Sequence, residues 1–279
     1  MPTLLADDGT TLAYRLTGDG PLLLCLPGGP GEAAGYFGDL GGLSATRALV
    51  LPDLRGTGAS TIPADPASYR IDRLVPDVEA LRRHLGLEQV DLLGHSAAGG
   101  LAMLYAARHP ERVRRLVLAA PSQRVLGIGA DPGTGVAVAA RAGEPWYDEA
   151  FAALHAEPTS WEDLLALRYT SAPFLYGPWD DAARAYARLD AELLAQGAYE
   201  GFYAGFEPDP ALGESLAALE CPVLVIGGEL DVWPCADAVL SLASRFREGS
   251  SVLVSGAGHF PWIEDPAAFS REIEDLLRR

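Results

Sequence analysis

The sequence predicts an α/β fold, a mostly parallel sheet wrapped by helices and interrupted late in the chain by a helical insertion. Three observations carry this. Short apolar runs alternate with amphipathic stretches, as in βαβ units. Several runs are apolar without alternation, which suits strands buried on both faces. The alternation stops at about Gln123 and resumes at Cys221.

Strands are expected near residues 10–17, 21–26, 47–52, 89–94, 113–119, 222–227 and 251–255. Leu22-Leu23-Leu24-Cys25-Leu26 and Val223-Leu224-Val225-Ile226 are the most continuous of them. Helices are expected near 71–85, 97–108, 235–246 and 265–278. In the first, Ile71, Leu74, Val75, Val78, Leu81 and Leu85 fall on one face at helical spacing. Residues 125–212 carry no convincing strand and read as short helices broken by Pro145, Pro158, Pro173 and Pro178. The expected division is therefore a core of residues 1–124 and 213–279, and a helical cap of residues 125–212 inserted after the sixth strand.

Composition bounds the reading. At 279 residues and 49% hydrophobic, the chain can form one large α/β domain with an insertion. The net charge of −17, with no lysine, argues against nucleic acid and anionic membranes as partners. No apolar run reaches the ~18 residues of a membrane span, and the N-terminus lacks a charged, then apolar, leader. A cytoplasmic protein is expected. Cys25, Cys221 and Cys235 have no metal-type spacing, and an odd number suits a reducing compartment.

The chemistry is concentrated in four places. Gly94-His95-Ser96-Ala97-Ala98 lies between the apolar run Val90–Leu93 and the Ala/Leu-rich run Gly99–Arg108. A serine on a sharp strand-to-helix turn is a nucleophile elbow, with the helix N-terminus beneath it offering free N–H groups to an oxyanion. Cys221–Asp231 is a buried strand ending in Gly-Gly with an acid just beyond, and Ser251–Val254 runs into a flexible loop carrying His259. The order Ser96, Asp231, His259 is that of α/β-hydrolases. A hydroxyl needs a neutral imidazole to take its proton, and the imidazole needs a carboxylate to fix its tautomer. The fourth place is Leu22–Leu26 followed by Pro27-Gly28-Gly29-Pro30-Gly31, where glycines allow backbone to approach a ligand. Gly29 and Ala97 N–H are the expected oxyanion donors.

The Gly28-Gly29-Pro30-Gly31 loop resembles the His-Gly-Gly-Pro-Gly motif of prolyl iminopeptidase-type α/β-hydrolases, and Asp53-Leu54-Arg55-Gly56-Thr57-Gly58-Ala59-Ser60 is similar to their Arg-Gly-Thr-Gly-x-Ser segment. The resemblance covers roughly residues 10–124 and 213–279. Pro27 stands where that family has histidine, and Ala98 where its elbow has glycine. The resemblance implies an aminopeptidase-like activity on a short peptide-like substrate.

The residues themselves lead to a serine hydrolase acting on a small ester or amide through an acyl-enzyme, with no metal or organic cofactor. A carboxylesterase, lactonase or thioesterase of secondary metabolism fits the same residues, as does a non-catalytic ligand-binding protein. The insertion holds 13 of the 23 aromatics and 14 acids against 4 arginines. It is expected to cover the site and set substrate choice. Its segment Tyr199–Glu207 is the expected lining, with Phe202, Tyr203 and Phe206 as walls, Glu200 or Glu207 binding a substrate amine, and its glycines permitting movement as a lid. Gly28 is a further candidate for substrate contact. Asp53 and Arg55 are expected to brace loops, and His95 to fill the back of the elbow.

Overall fold

The computed structural model describes residues 1–129 and 132–279. Eight strands form one sheet: β1 (Thr3–Leu5), β2 (Thr11–Thr17), β3 (Leu22–Leu26), β4 (Ala48–Pro52), β5 (Val90–His95), β6 (Val113–Ala119), β7 (Val223–Gly228) and β8 (Gly249–Val254). Their spatial order is β1-β2-β4-β3-β5-β6-β7-β8. β1 pairs antiparallel with β2, and β2 with β4; every other pairing is parallel.

The continuous apolar strands are explained by the two cores they feed. Leu24, Leu26, Leu92, Leu118, Val223 and Val225 face one side of the sheet. Leu23, Cys25, Leu93, Val117, Leu224 and Ile226 face the other. A period of two therefore underlies runs with no polar alternation, because both faces are dry. The first face is covered by α1 (Val75–His84) and α2 (Ala97–Arg108), with Val78, Leu81 and Leu101 packed inward. Between β6 and β7 the chain runs through α3 (Pro132–Ala140), α4 (Tyr147–Leu154), α5 (Trp161–Ser171), α6 (Asp181–Leu193), α7 (Gln196–Gly201) and α8 (Leu212–Ala217). Then come α9 (Ala236–Ala243), α10 (Pro261–Glu264) and α11 (Pro266–Leu277). α9 adds Val239 and Leu242 to the first core, while Phe269, Ile273 and Leu276 of α11 fill the second.

The seven expected strands all form, and β1 is an addition. It has three residues, only Leu4 turned inward, and so offers no usable periodicity. The first expected helix opens as a 3₁₀ turn at Ile71–Arg73 and becomes α-helical at Val75, with Pro76 in the opening turn, where its missing N–H costs nothing.

The segment between β6 and β7 is stitched to the loop after β3. Glu32 forms an isolated antiparallel bridge with Leu194. Ala33 N–H donates to the Leu193 carbonyl at 3.0 Å, and Ala195 N–H to the Gly31 carbonyl at 2.9 Å. Gly31 has φ +78°, and a Cβ there would stand 2.5 Å from the Tyr199 nitrogen. α8 begins at residue 212, and its Leu212 and Leu216 pack in the first core.

Candidate active site

Ser96 caps the N-terminus of α2 with φ 51° and ψ −121°, a region a side-chain-bearing residue rarely occupies. Its surroundings hold it there. Its N–H donates to the Ala119 carbonyl, and its carbonyl accepts from Gly99 and Ser122 N–H, each at 2.9 Å. Glycines make the space: a Cβ on Gly94 would lie 2.5 Å from the Ala98 carbonyl oxygen, and one on Gly28 would lie 2.9 Å from the Ser96 Cβ. Ala98 itself is fully buried within α2.

Asp231 and His259 meet behind this turn. Asp231 follows β7 and is buried; its Oδ2 lies 2.7 Å from His259 Nδ1, and its Oδ1 accepts Trp233 N–H at 2.9 Å. A carboxylate on Nδ1 places the ring proton there and leaves Nε2 as the acceptor. His259 follows β8, and its N–H donates to the Leu175 carbonyl at 2.7 Å. Glu264 fastens the same loop, accepting Gly258 N–H at 2.7 Å and Gly177 N–H at 2.6 Å. Burial pushes the Glu264 carboxyl up to about 7.

His95 does more than fill space. Tyr36 Oη lies 2.8 Å from both the Gly28 nitrogen and His95 Nδ1. The hydroxyl accepts from Gly28 N–H and so donates to Nδ1. That leaves the proton on His95 Nε2, 3.2 Å from the His259 carbonyl. Burial first, and His259 next, hold the His95 pKa well below its ordinary value, so the ring is neutral. One hydrogen-bonded chain thus links the loop after β3, the elbow and the His259 loop. Nothing in the sequence around Tyr36 announces this role, because its partners lie 8 and 59 residues away.

Two cavities meet at Ser96. One, of about 230 Å³, is lined by Gly29, Glu32, Arg168, Asp190 and His259 among others. The second, of about 250 Å³, is lined by Gly29, Ala97, Ser122, Arg124, Tyr203 and Trp233 among others. Gly29 and Ala97 therefore both border the space at the Ser96 hydroxyl. Asp53 and Arg55 lie outside both cavities. Asp53 accepts Ala34 and Ala59 N–H at 3.0 and 2.9 Å, and Arg55 pairs with Asp77 and Asp8.

The Tyr199–Glu207 segment is placed differently from the sequence expectation. Tyr203 borders the second cavity, with its hydroxyl 3.4 Å from Ser122 Oγ and the Arg124 guanidinium over its ring at 4.4 Å. Phe202 is buried in the core, not in a cavity wall. Glu200 is exposed and accepts from Gln196 at 2.9 Å. Phe206 and Glu207 line a separate surface cavity with Arg70, Arg108 and Asp209. Gly28 lies beneath the site, where its lack of a side chain makes room for Ser96. At Gly201 a Cβ would meet the Tyr69 Cβ at 2.6 Å, so α7 packs directly on Tyr69. The reason for the difference is helical phase. α7 turns its apolar side to the core at Ala198 and Phe202, which sends Glu200 outward. The acids beside Ser96 are Glu32 and Asp190, and no motif singles out either.

This sheet, elbow and carboxylate–imidazole pair define a class. The alpha/beta hydrolase fold family's sequence profile matches residues 21–266, and the chain belongs to that family. It is 30% identical to a 2-hydroxymuconate semialdehyde hydrolase of Pseudomonas putida, covering 99% of this chain and 90% of that one. It is 40% identical to a proline iminopeptidase of Lactobacillus helveticus, over 38% of each chain. An esterase of Exiguobacterium antarcticum superposes with a TM-score of 0.77 at 19% identity, covering 99% of both chains.

Proposed function

We propose that the protein is a serine hydrolase that cleaves a small ester or amide through an acyl-enzyme. The reading rests on Asp231 held at 2.7 Å from His259 Nδ1, beside a serine fixed at positive φ over a helix N-terminus. His259 Nε2 takes the Ser96 hydroxyl proton as Oγ bonds to the substrate carbonyl carbon. The carbonyl oxygen becomes an oxyanion held by Gly29 and Ala97 N–H. The tetrahedral centre collapses, the C–O or C–N bond breaks, and the imidazolium gives its proton to the leaving alcohol or amine. Water then repeats the sequence against the acyl-enzyme. The two cavities at Ser96 suit the acyl and leaving portions, and the helices of residues 125–212 form the cap over them. Within amide substrates, an aminopeptidase role of the proline iminopeptidase kind is the narrower reading, supported by the partial likeness in sequence.

Ser96→Ala tests this. It should lower kcat on p-nitrophenyl esters by about 10⁴ to 10⁶. A fluorophosphonate should add one adduct to the wild type and none to the variant. Labelling that survives the loss of Ser96 overturns the assignment.

A further inference from the structure

Bordering the smaller cavity at Ser96 lies a partly buried polar cluster that the acyl-transfer chemistry does not use. Glu32 is 1% exposed, and its Oε1 has no hydrogen-bond partner among the described residues. The Asp190 carboxyl stands within hydrogen-bonding reach of the Glu32 carboxyl group. Arg168 Nη2 donates to Asp190 Oδ2 at 2.8 Å, while Arg168 Nε is buried without a partner among the described residues. All three side chains border the cavity that Ser96 and His259 also border.

We propose that Glu32 and Asp190 form a binding site for an ammonium group on the substrate, so that this hydrolase selects amine-bearing esters or amides. The inference rests on the serine-hydrolase reading and specifies its substrate. Charge decides the sign of the ligand. Two carboxylates against one guanidinium leave a deficit of one positive charge, which a monocation cancels. An anion would meet both carboxylates, and Arg168 already gives Nη2 to Asp190. Geometry decides the type: an ammonium has three donors, and Glu32 Oε1 is a buried acceptor lacking one. Position decides the consequence. Glu32 sits in the bridge to Leu194 at the end of the oxyanion loop, and Asp190 lies on α6, so the ammonium would be gripped by both sides of that seam.

Burial, and then the Asp190 carboxylate, push the Glu32 carboxyl well above its ordinary value, with Arg168 opposing. The other titratable groups acting on the cluster are the buried hydroxyls Tyr36, Tyr176 and Tyr186, and Tyr199 beside Arg168. A bound ammonium favours the ionised carboxylate, so any proton Glu32 holds passes to solvent and the carboxylate accepts from R–NH₃⁺.

Calorimetry with n-butylammonium and its neutral near-isostere n-butanol, in two buffers of different ionisation enthalpy at pH 7, reads this directly. The expected result is at least tenfold tighter binding of the cation, with proton release to the buffer as it binds. Glu32→Gln should weaken the cation at least tenfold and abolish the release, and Asp190→Asn should weaken it similarly. Equal affinity for cation and alcohol, no binding of either, or wild-type affinity in folded Glu32→Gln overturns the site. If the variants do not fold, the wild-type comparison and proton count still decide. Fluorophosphonate labelling separates the two readings. Labelling without cation preference keeps the hydrolase and removes this site, whereas cation preference without labelling does the reverse.

Discussion

Asp231 and Tyr36 show how much rests on single atoms. Asp231 Oδ2 holds the proton on His259 Nδ1. Asp231→Asn keeps the shape but presents an amide that favours the wrong tautomer, and kcat should fall by about 10⁴ with little change in KM. Steady-state kinetics on one ester checks it, and near-full activity would exclude Asp231 as the orienting acid. Tyr36 works at one remove, as a positioning residue. Tyr36→Phe strands the buried Gly28 N–H and His95 Nδ1. Each stranded group costs about 1–3 kcal/mol, so urea unfolding should register a loss in that range or above. Fluorophosphonate labelling of Ser96 should persist but slow, because Ser96 is unchanged and only the Gly28–Gly29 loop is released. A labelling rate equal to wild type would reduce Tyr36 to a packing role.

At the scale of elements, the parts that obey local rules were legible. The strand before Ser96 and the helix after it follow from Val90–Leu93 and the Ala/Leu run, and the two acid- and histidine-bearing loops follow from the strands before them. The composition of residues 125–212 points to helices, and α3–α7 lie there, with α8 beginning at its last residue. What local patterns did not carry is which side of a short helix faces the cleft. α7 is six residues long, and its phase is set by Tyr69 packing on Gly201 rather than by its own periodicity. Glu32 and Asp190 are 158 residues apart and meet only because Gly31–Ala33 pairs with Leu193–Ala195. Close approach of two elements also makes a prediction. The loop after β3 and the elbow after β5 touch through Gly28, where a Cβ would lie 2.8 Å from the His95 carbonyl oxygen and 2.9 Å from the Ser96 Cβ. Both neighbours are held by backbone, so Gly28→Ala must push the loops apart. Displacement near 1 Å at a reacting centre costs about 10²-fold in rate. Acylation of Gly28→Ala should slow by that order, read as the stopped-flow burst rate; an unchanged burst would mean that the loop yields freely.

Across the whole molecule, carboxylates of opposite tendency set the response to acid. The chain has a formal charge of −17, and several acids are tied to arginine. Glu274 of α11 accepts from Arg47 at 2.8 and 3.0 Å and from Thr46 Oγ1 at 2.9 Å, closing the C-terminal helix onto the start of β4. The Arg47 guanidinium holds the Glu274 carboxyl at about 2. A carboxyl depressed in the folded state stabilises above its unfolded value, near 4.5, and that contribution fades as pH falls through about 2. Glu264 works in the opposite sense. Raised to about 7, it holds its proton more tightly folded than unfolded, so its effect on stability worsens as pH climbs from about 4.5 to about 7. Two variants separate these contributions. Glu274→Gln should cost about 2 kcal/mol at pH 7, the range of a charge-assisted hydrogen bond, or roughly 4–8 °C in Tm for a chain of this size. The deficit should shrink as pH approaches 2. Glu264→Gln should instead change the slope between pH 5 and 8, flattening the decline contributed by its own ionisation while loosening Gly258 and Gly177. Denaturant unfolding at a series of pH values reads both. A Glu274→Gln deficit as large at pH 2 as at pH 7 would show that this carboxylate acts by packing rather than by charge. It would also remove the ion pair as the reason the C-terminal helix stays closed over β4.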